Sequence, residues 1–225
     1  MFTNKGDSKM IKRIESIKPF EFGVRATFIS EVLGTKPLST DIFDKWLNTK
    51  NPDEKLRLQE LEEAKRLQEE FEKKEESMTI FHRDFKGNLI IYDYQILGFF
   101  KEACGAMREA DEGKSSGLKA YKKAIDNLIK VYPRYINMQM PEGSKPGTCS
   151  RPLRAMTMQG PRVTIVKSET VPAGTIMEFT VSILKKSLLS CIVEWLDYGK
   201  RKGMCQWRNG GKGLFTWVET EVQQC

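Results

Sequence analysis

The chain has 225 residues, 40% of them hydrophobic and 30% charged, with a formal net charge of +7. That length suits one sizeable domain with a real core; no apolar run approaches the roughly 20 residues of a membrane-spanning helix, and the polar stretch from Met1 to Lys18 has no signal-peptide apolar region. A cytosolic protein is expected, and its five scattered cysteines (Cys104, Cys149, Cys191, Cys205, Cys225), with no C-x-x-C pair and one histidine at His82, argue against a structural zinc site or a secreted disulfide framework.

Pro19–Ile29 alternates apolar and polar residues, the period of a half-buried strand. Gly34–Pro37 closes that unit in a turn, and Thr40 caps a short helix through Phe43, Trp46 and Leu47. Asn51-Pro52-Asp53 sets an N-cap with proline at the first helical position, opening a long helix to about Glu76. Its apolar stripe of Leu58, Leu61, Ala64, Leu67 and Phe71 is narrow. Residues 51–76 hold ten acids and six bases, so this insertion carries −4 and the rest of the chain +11. It reads as a helix packed on one edge of a basic body, or as an arm offered to a partner.

Met78–Phe85 and Asn88–Tyr92 read as a hairpin turning at Lys86-Gly87. Ile96, Phe99, Phe100, Ala103 and Met107 then recur at helical spacing over 94–108. A second helix is expected over Leu118–Val131, with Tyr121, Ile125, Leu128 and Ile129 inward and Pro133 marking its end. Pro141–Pro152, rich in Gly, Pro and Ser, is expected to be a mobile loop. Val163–Val166 and Ile176–Leu184 look like strands joined by Val171-Pro-Ala-Gly174, and Leu188–Leu196 like an amphipathic helix. A glycine-rich loop and a last strand follow. Strands interleaved with helices in this order predict an α+β fold, an antiparallel sheet with helices on one face.

The densest chemistry lies between Tyr198 and Trp217. Gly203, Gly210, Gly211 and Gly213 alternate there with Lys200, Arg201, Lys202, Arg208 and Lys212, and no carboxylate interrupts the run. Glycine permits positive φ and close backbone approach. Successive N–H groups in such turns form anion-binding nests, and the cations complement them in charge. Trp207, between the basic clusters, either stacks on a base or fills an apolar gap under the loop. Lys101 and Arg108 lie two helical turns apart on one face, and Arg151 and Arg154 extend the basic track. The pattern predicts a site for phosphate or nucleic-acid backbone; the plainer alternative is a solvated basic hairpin with turn glycines. No catalytic constellation is legible. His82 lacks a second proton-transfer group for metal-free cleavage, Asp84 and Asp93 are a sparse basis for a metal, and Gly210-Gly-Lys-Gly213 is not a Walker motif. No catalytic residue, metal or cofactor is expected.

Ile96-Leu-Gly-Phe-Phe-Lys-Glu-Ala-Cys-Gly-Ala-Met-Arg108, Glu169-Thr-Val-Pro-Ala-Gly-Thr-Ile-Met-Glu-Phe179 and Leu196–Phe215, in that order, resemble the RAMP superfamily. These are RNA-binding proteins with an RRM-like, ferredoxin-like core that form backbone subunits of CRISPR effector complexes. The first segment is similar to the family's helix that starts at a small-residue turn and ends in arginine. The second is similar to the approach to a late strand, and the third to the C-terminal glycine-rich signature. The chain also resembles proteins encoded by phages and prophages of Gram-positive bacteria. What the resemblance implies is a single ferredoxin-like domain over 1–225 carrying the 51–76 insertion, resident in the bacterial host cytosol. It implies RNA or single-stranded nucleic acid as partner, with copies assembling along the strand as a homo-oligomer. Two departures stand out: the acidic insertion intervenes where the family's first helix follows its first strand, and the loop carries Gln206-Trp207 with Leu214, not arginines, after Gly213.

The expected function is therefore non-enzymatic binding of RNA or single-stranded nucleic acid through the C-terminal loop and nearby cations. Two other classes stay open. One is an interaction protein that mimics or inhibits a host CRISPR or other defence complex through the acidic helix. The other is a protein that sequesters a small nucleotide signal in the glycine-rich loop.

Overall fold

The computed structural model describes residues 18–38, 78–110, 113–157 and 160–222, and within 153–164 the backbone alone. The helices expected after Thr40 and over 51–76 lie outside the described residues. Strand β1 (Phe20–Phe28) follows its alternation, burying Phe22, Val24, Ala26 and Phe28. Short strands β2 (Val32–Leu33), β3 (Lys36–Pro37), β4 (Met78–Ile80), β5 (His82–Arg83) and β6 (Leu89–Tyr92) lead to helix α1 (Asp93–Arg108). Helix α2 (Tyr121–Leu128), strands β7 (Ile129–Tyr132), β8 (Tyr135–Gln139), β9 (Gly147–Thr157), β10 (Gly160–Val171) and β11 (Ile176–Ile183), helix α3 (Leu189–Lys202) and strand β12 (Phe215–Thr220) complete the order.

The main sheet runs β12-β1-β11-β8-β6-β5, with β7 also pairing β11. Its β1–β11, β1–β12, β11–β7 and β11–β8 ladders are all antiparallel. Taken with α1 and α3, this is a β-α-β-β-α-β chain whose last strand lies beside the first and whose third separates the first from the second. That is the α+β, ferredoxin-like arrangement the sequence predicts. The second strand is split into β7 and β8 at Pro133, which has no N–H to give the ladder. Helix α1 buries Ile96, Phe99, Phe100, Ala103 and Cys104, a stripe at i, i+3, i+4, i+7 and i+8. Its first turn closes where the Tyr92 N–H donates to Gln95 Oε1 (2.9 Å). Helix α3 is joined to the loop after α1 by Trp195 Nε1–H, which donates to Ser115 Oγ (2.7 Å), and Ser115 in turn donates to Glu194 Oε2 (2.6 Å). Among the described residues no helix is long and apolar enough to cross a membrane.

Four expectations are corrected. The helix expected over Leu118–Val131 stops at Leu128, because Ile129 and Val131 are buried on one side of a strand and Lys130 points outward. The helix expected to end at Leu196 runs on to Lys202, placing Lys200, Arg201 and Lys202 in its last turn, where cations complement the helix dipole. Met78–Phe85 is divided between two sheets rather than forming one strand. Finally, Gly147–Pro152 is strand, not loop, since it pairs with Ile165–Thr170 of β10. Pro152 is tolerated because β9 pairs only with β10 among the described strands, leaving its other side open.

The second sheet, β2-β10-β4-β3 with β9 on β10, meets the main one at Glu169. This residue, 6% exposed, accepts the Phe81 N–H on Oε2 (2.9 Å), pairs with the Arg83 guanidinium and receives the Gly34 N–H on its carbonyl (2.9 Å). The following turn is locked to β1: Gly174 N–H donates to Phe28 O (2.7 Å) and Phe28 N–H to Thr175 O (2.9 Å). The Glu-x-x-Pro-Ala-Gly-Thr segment thus joins two sheets. Removing the carboxylate takes the acceptor from the buried Phe81 amide and the anion from the part-buried Arg83 guanidinium, so Glu169→Ala is expected to destabilise the fold by about 3–5 kcal/mol, read as a lower urea midpoint.

Candidate nucleic-acid interface

The 203–213 loop leaves α3 and returns to β12 through a narrow neck. Gly203 and Gly213 both have φ of +72°. A Cβ on Gly203 would lie 2.5 Å from the Gly213 carbonyl, and one on Gly213 would lie 2.0 Å from Met204 O. Met204 N–H donates to Gly213 O (3.0 Å) across the neck. Gly213 N–H reaches Glu31 O (2.8 Å) and Leu214 N–H reaches Ser30 Oγ (2.9 Å), which fasten the loop to the end of β1. The N–H groups of Gly210 and Gly211 close a short 3-10 turn on Trp207 O and Arg208 O, and Gly203 N–H donates to Gly199 O. The amides expected to form an anion nest are therefore engaged internally. The glycines give the loop its shape rather than an open nest of amides.

Those side chains are gathered from distant parts of the chain. Arg208 pairs with Glu102 of α1, Lys212 Nζ with Glu31 Oε2 (2.6 Å), and Lys101 Nζ with Asp126 Oδ1 (2.5 Å). Lys202 bonds Asn209, and the Arg108 guanidinium lies 5.1 Å from the Tyr121 ring centroid. Lys200 and Arg201 are exposed on α3. An open groove of about 940 Å³ runs between α1 and the loop; Lys101, Arg208, Lys122, Tyr94, Tyr121 and Tyr198 are among its lining residues. Arg154 lies on β9 with its side chain outside the described residues. Lys101 and Arg208 thus share one groove, while Arg151 and Trp207 form a separate pair. In the sequence the groove tyrosines and Lys122 carry no mark of a site beyond the aromatic-basic run Tyr121-Lys122-Lys123.

Trp207 is 41% exposed and has φ of +54°, an uncommon backbone state for a bulky residue. A Cβ on Gly210 would lie 2.7 Å from its indole, so glycine is needed there for the ring to lie flat on the turn. The Arg151 guanidinium sits 5.2 Å from the ring centroid and Lys212 Nζ 6.0 Å from it, cation–π contacts worth about 0.5–2 kcal/mol each. Arg151 Nη2 donates to Gln206 Oε1 (2.9 Å), a neutral anchor that no charge pattern marks in the sequence.

The acid–base candidates are placed elsewhere. His82 is buried against the Tyr92 ring (4.6 Å, edge-on), and burial, then Lys36, then Arg134 hold its pKa well below the usual 6.5. Asp84 accepts from Lys86 N–H (2.9 Å), Asn88 N–H (2.8 Å) and Asn88 Nδ2 (2.9 Å), organising the hairpin turn. Among the described residues no group of three His, Cys, Asp or Glu side chains is placed to hold a metal. Burial pushes the Cys205 thiol up to about 12, with Arg208 only opposing it, so it is no ready nucleophile.

Two outcomes are expected. Gly213→Ala, strained in φ and in collision with Met204 O, lowers stability by about 2 kcal/mol or more in urea titration. For His82 the folded pKa is depressed, so the unfolded chain takes up the proton first. Stability is full above pH 6.5 and falls as pH drops below it toward the folded value, by up to about 1.4 kcal/mol per unit. Urea midpoints at pH 7.5, 6 and 5 are expected to show this slope in the parent chain and a shallower one in His82→Gln.

No family model matches the chain, and no curated protein matches its sequence. Among solved structures it is similar to a chain in the cryo-EM structure of the Type III-B Cmr-beta bound to cognate target RNA, with a TM-score of 0.47 and 10% identity over 96% of this chain. It spans 65% of that chain's length, under two-thirds. It is also similar to a chain of a Type IV-B CRISPR complex, with a TM-score of 0.46 and 10% identity over 92% of each. The likeness is one of chain path; at these scores it carries no functional argument.

Proposed function

We propose that this protein binds single-stranded nucleic acid, RNA in particular, without catalysis, through the 203–213 loop, the last turn of α3 and the groove beside α1. The observation that carries this is Trp207, a large aromatic held half-exposed on a glycine turn among the cations of the loop. Stacking of a base on such a ring is worth about 1–3 kcal/mol and tolerates any sequence, because every base has a π face. Lys200 and Arg201 offer their charges directly to phosphate. Arg208, Lys212 and Lys101 are held by partly exposed carboxylates in pairs worth about 0–1 kcal/mol, which phosphates replace at little cost. Contacts of this kind position a strand without reading its bases.

The ferredoxin-like strand order, with the glycine loop between the last helix and the last strand, supports placing the chain beside the RAMP proteins as one domain. Copies repeating along a strand belong to the same proposal. The partner-mimic class draws on residues 51–76, outside the described residues. The small-nucleotide class draws on the glycine amides of the loop, which are already engaged.

Fluorescence-polarisation titration against labelled single-stranded RNA, single-stranded DNA and duplex at two salt concentrations tests this. Salt-sensitive binding that favours single strands is expected, with a loss of about tenfold in Trp207→Ala. The double variant Lys200→Ala, Arg201→Ala should flatten the log–log salt slope by about 1.4, roughly 0.7 per phosphate contact. No binding to any strand at low salt would refute the proposal.

A further inference from the structure

We propose that Arg151 is a phosphate-binding residue kept under Trp207 and uncovered when the indole moves off it to stack on a base. The inference rests on the nucleic-acid reading above and supplies a phosphate contact for it. The side chain is 8% exposed, and its Nε and Nη1 are buried without a hydrogen-bond partner among the described residues. Its one side-chain hydrogen bond among the described residues runs from Nη2 to a neutral amide oxygen, that of Gln206. Among the described residues no carboxylate pairs with it, in contrast to Arg208, Lys212 and Lys101 of the same surface.

A buried cation with idle donors is unfavourable unless an anion completes it. Among the described residues, the face of Trp207 lies against the guanidinium, 5.2 Å away, beside the Gln206 amide. That cover is poised to move. Trp207 is half-exposed, its backbone lies in the left-handed region, and Cys205 two residues earlier is also at positive φ (66°). Strain concentrated on one loop favours an alternative state in which it is relieved. Lys212 Nζ, 6.0 Å from the same ring, brings a second cation to the point that the indole would vacate.

A phosphate group matches this arrangement. It is anionic, and its several oxygens accept from more than one guanidinium nitrogen at once. A nucleotide carries a flat base for the indole and a phosphate for the guanidinium on one short scaffold. Two sources share the chemistry: an internal phosphodiester of a strand, and a free or terminal phosphate.

The test compares the parent chain with Arg151→Gln, Arg151→Lys and Trp207→Ala by RNA titration at two salt concentrations, by pyrophosphate titration and by thermal melting. Arg151→Gln is expected to lose about tenfold in affinity for single-stranded RNA and to flatten the salt slope by about 0.7. It is also expected to melt no lower than the parent, because an idle buried charge has gone. Arg151→Lys should keep the salt slope and recover part of the affinity. Pyrophosphate that raises the melting temperature of the parent and of Trp207→Ala, but not of Arg151→Gln, assigns the site to free or terminal phosphate. An Arg151-dependent response to RNA alone assigns it to the strand backbone. Unchanged RNA affinity and slope in Arg151→Gln, together with a lower melting temperature, would make Arg151 a prop for Trp207 and overturn the proposal while leaving the nucleic-acid function intact. If RNA does not bind but pyrophosphate protects through Arg151, the nucleic-acid function falls and the phosphate site stands. No response to either ligand overturns both.

Discussion

Glu169 is the joint on which the two halves of this structure depend. A nearly buried carboxylate must be paired, and here it holds the Phe81 amide and the Arg83 guanidinium while its own carbonyl takes the Gly34 amide. Those three contacts fix β10 against the crossing point where the chain passes from β4 in one sheet to β5 in the other. Strand β9 is zipped to β10 in an unbroken antiparallel register, with Glu169 opposite Thr148 and Val166 opposite Arg151. Anchoring Glu169 therefore sets where Arg151 comes to rest, which is beneath the loop that follows α3.

The loop itself combines a stiff frame with loosely held charges. Its neck admits only glycine at 203 and 213, and its glycine amides are engaged with the backbone around them. Two of its cations are tethered by acids from remote segments: Lys212 by Glu31 and Arg208 by Glu102. Such tethers offset the repulsion among these cations, and partly exposed pairs of this kind are each worth only about 0–1 kcal/mol. Arg151 differs from these cations in being buried, with an aromatic face against it and, among the described residues, no acid beside it and no partner for Nε or Nη1.

Much of the framework is legible in the residue pattern. The apolar stripe of α1 and the alternation of β1 are short-range periodicities, and both elements appear within a residue or two of their expected ends. The pattern misleads where local signals compete. Leu118–Val131 has a helical stripe, but Ile129 and Val131 also fit a strand, and pairing with β11 prevails. Pro141–Pro152 has a loop composition, but a long ladder with β10 outweighs its glycines and prolines from Gly147 onward. His82, the lone histidine, carries no local mark of burial; burial against Tyr92, then Lys36 and Arg134, holds its pKa below the ordinary value.

The sequence by itself determined the α+β class, the helical and strand faces, and the concentration of positive charge and glycine between α3 and β12. These follow from spacing and composition, which act over a few residues. Only the tertiary structure decided that the loop's glycine amides are engaged, that Lys101 and Arg208 line one groove, and that Arg151 lies buried against Trp207 and Gln206. The last contact joins residues 55 apart in the chain, and the Lys212–Glu31 pair joins residues 181 apart. Contacts at such separations depend on strand register and on the crossing of two sheets, and no local pattern of residues encodes either.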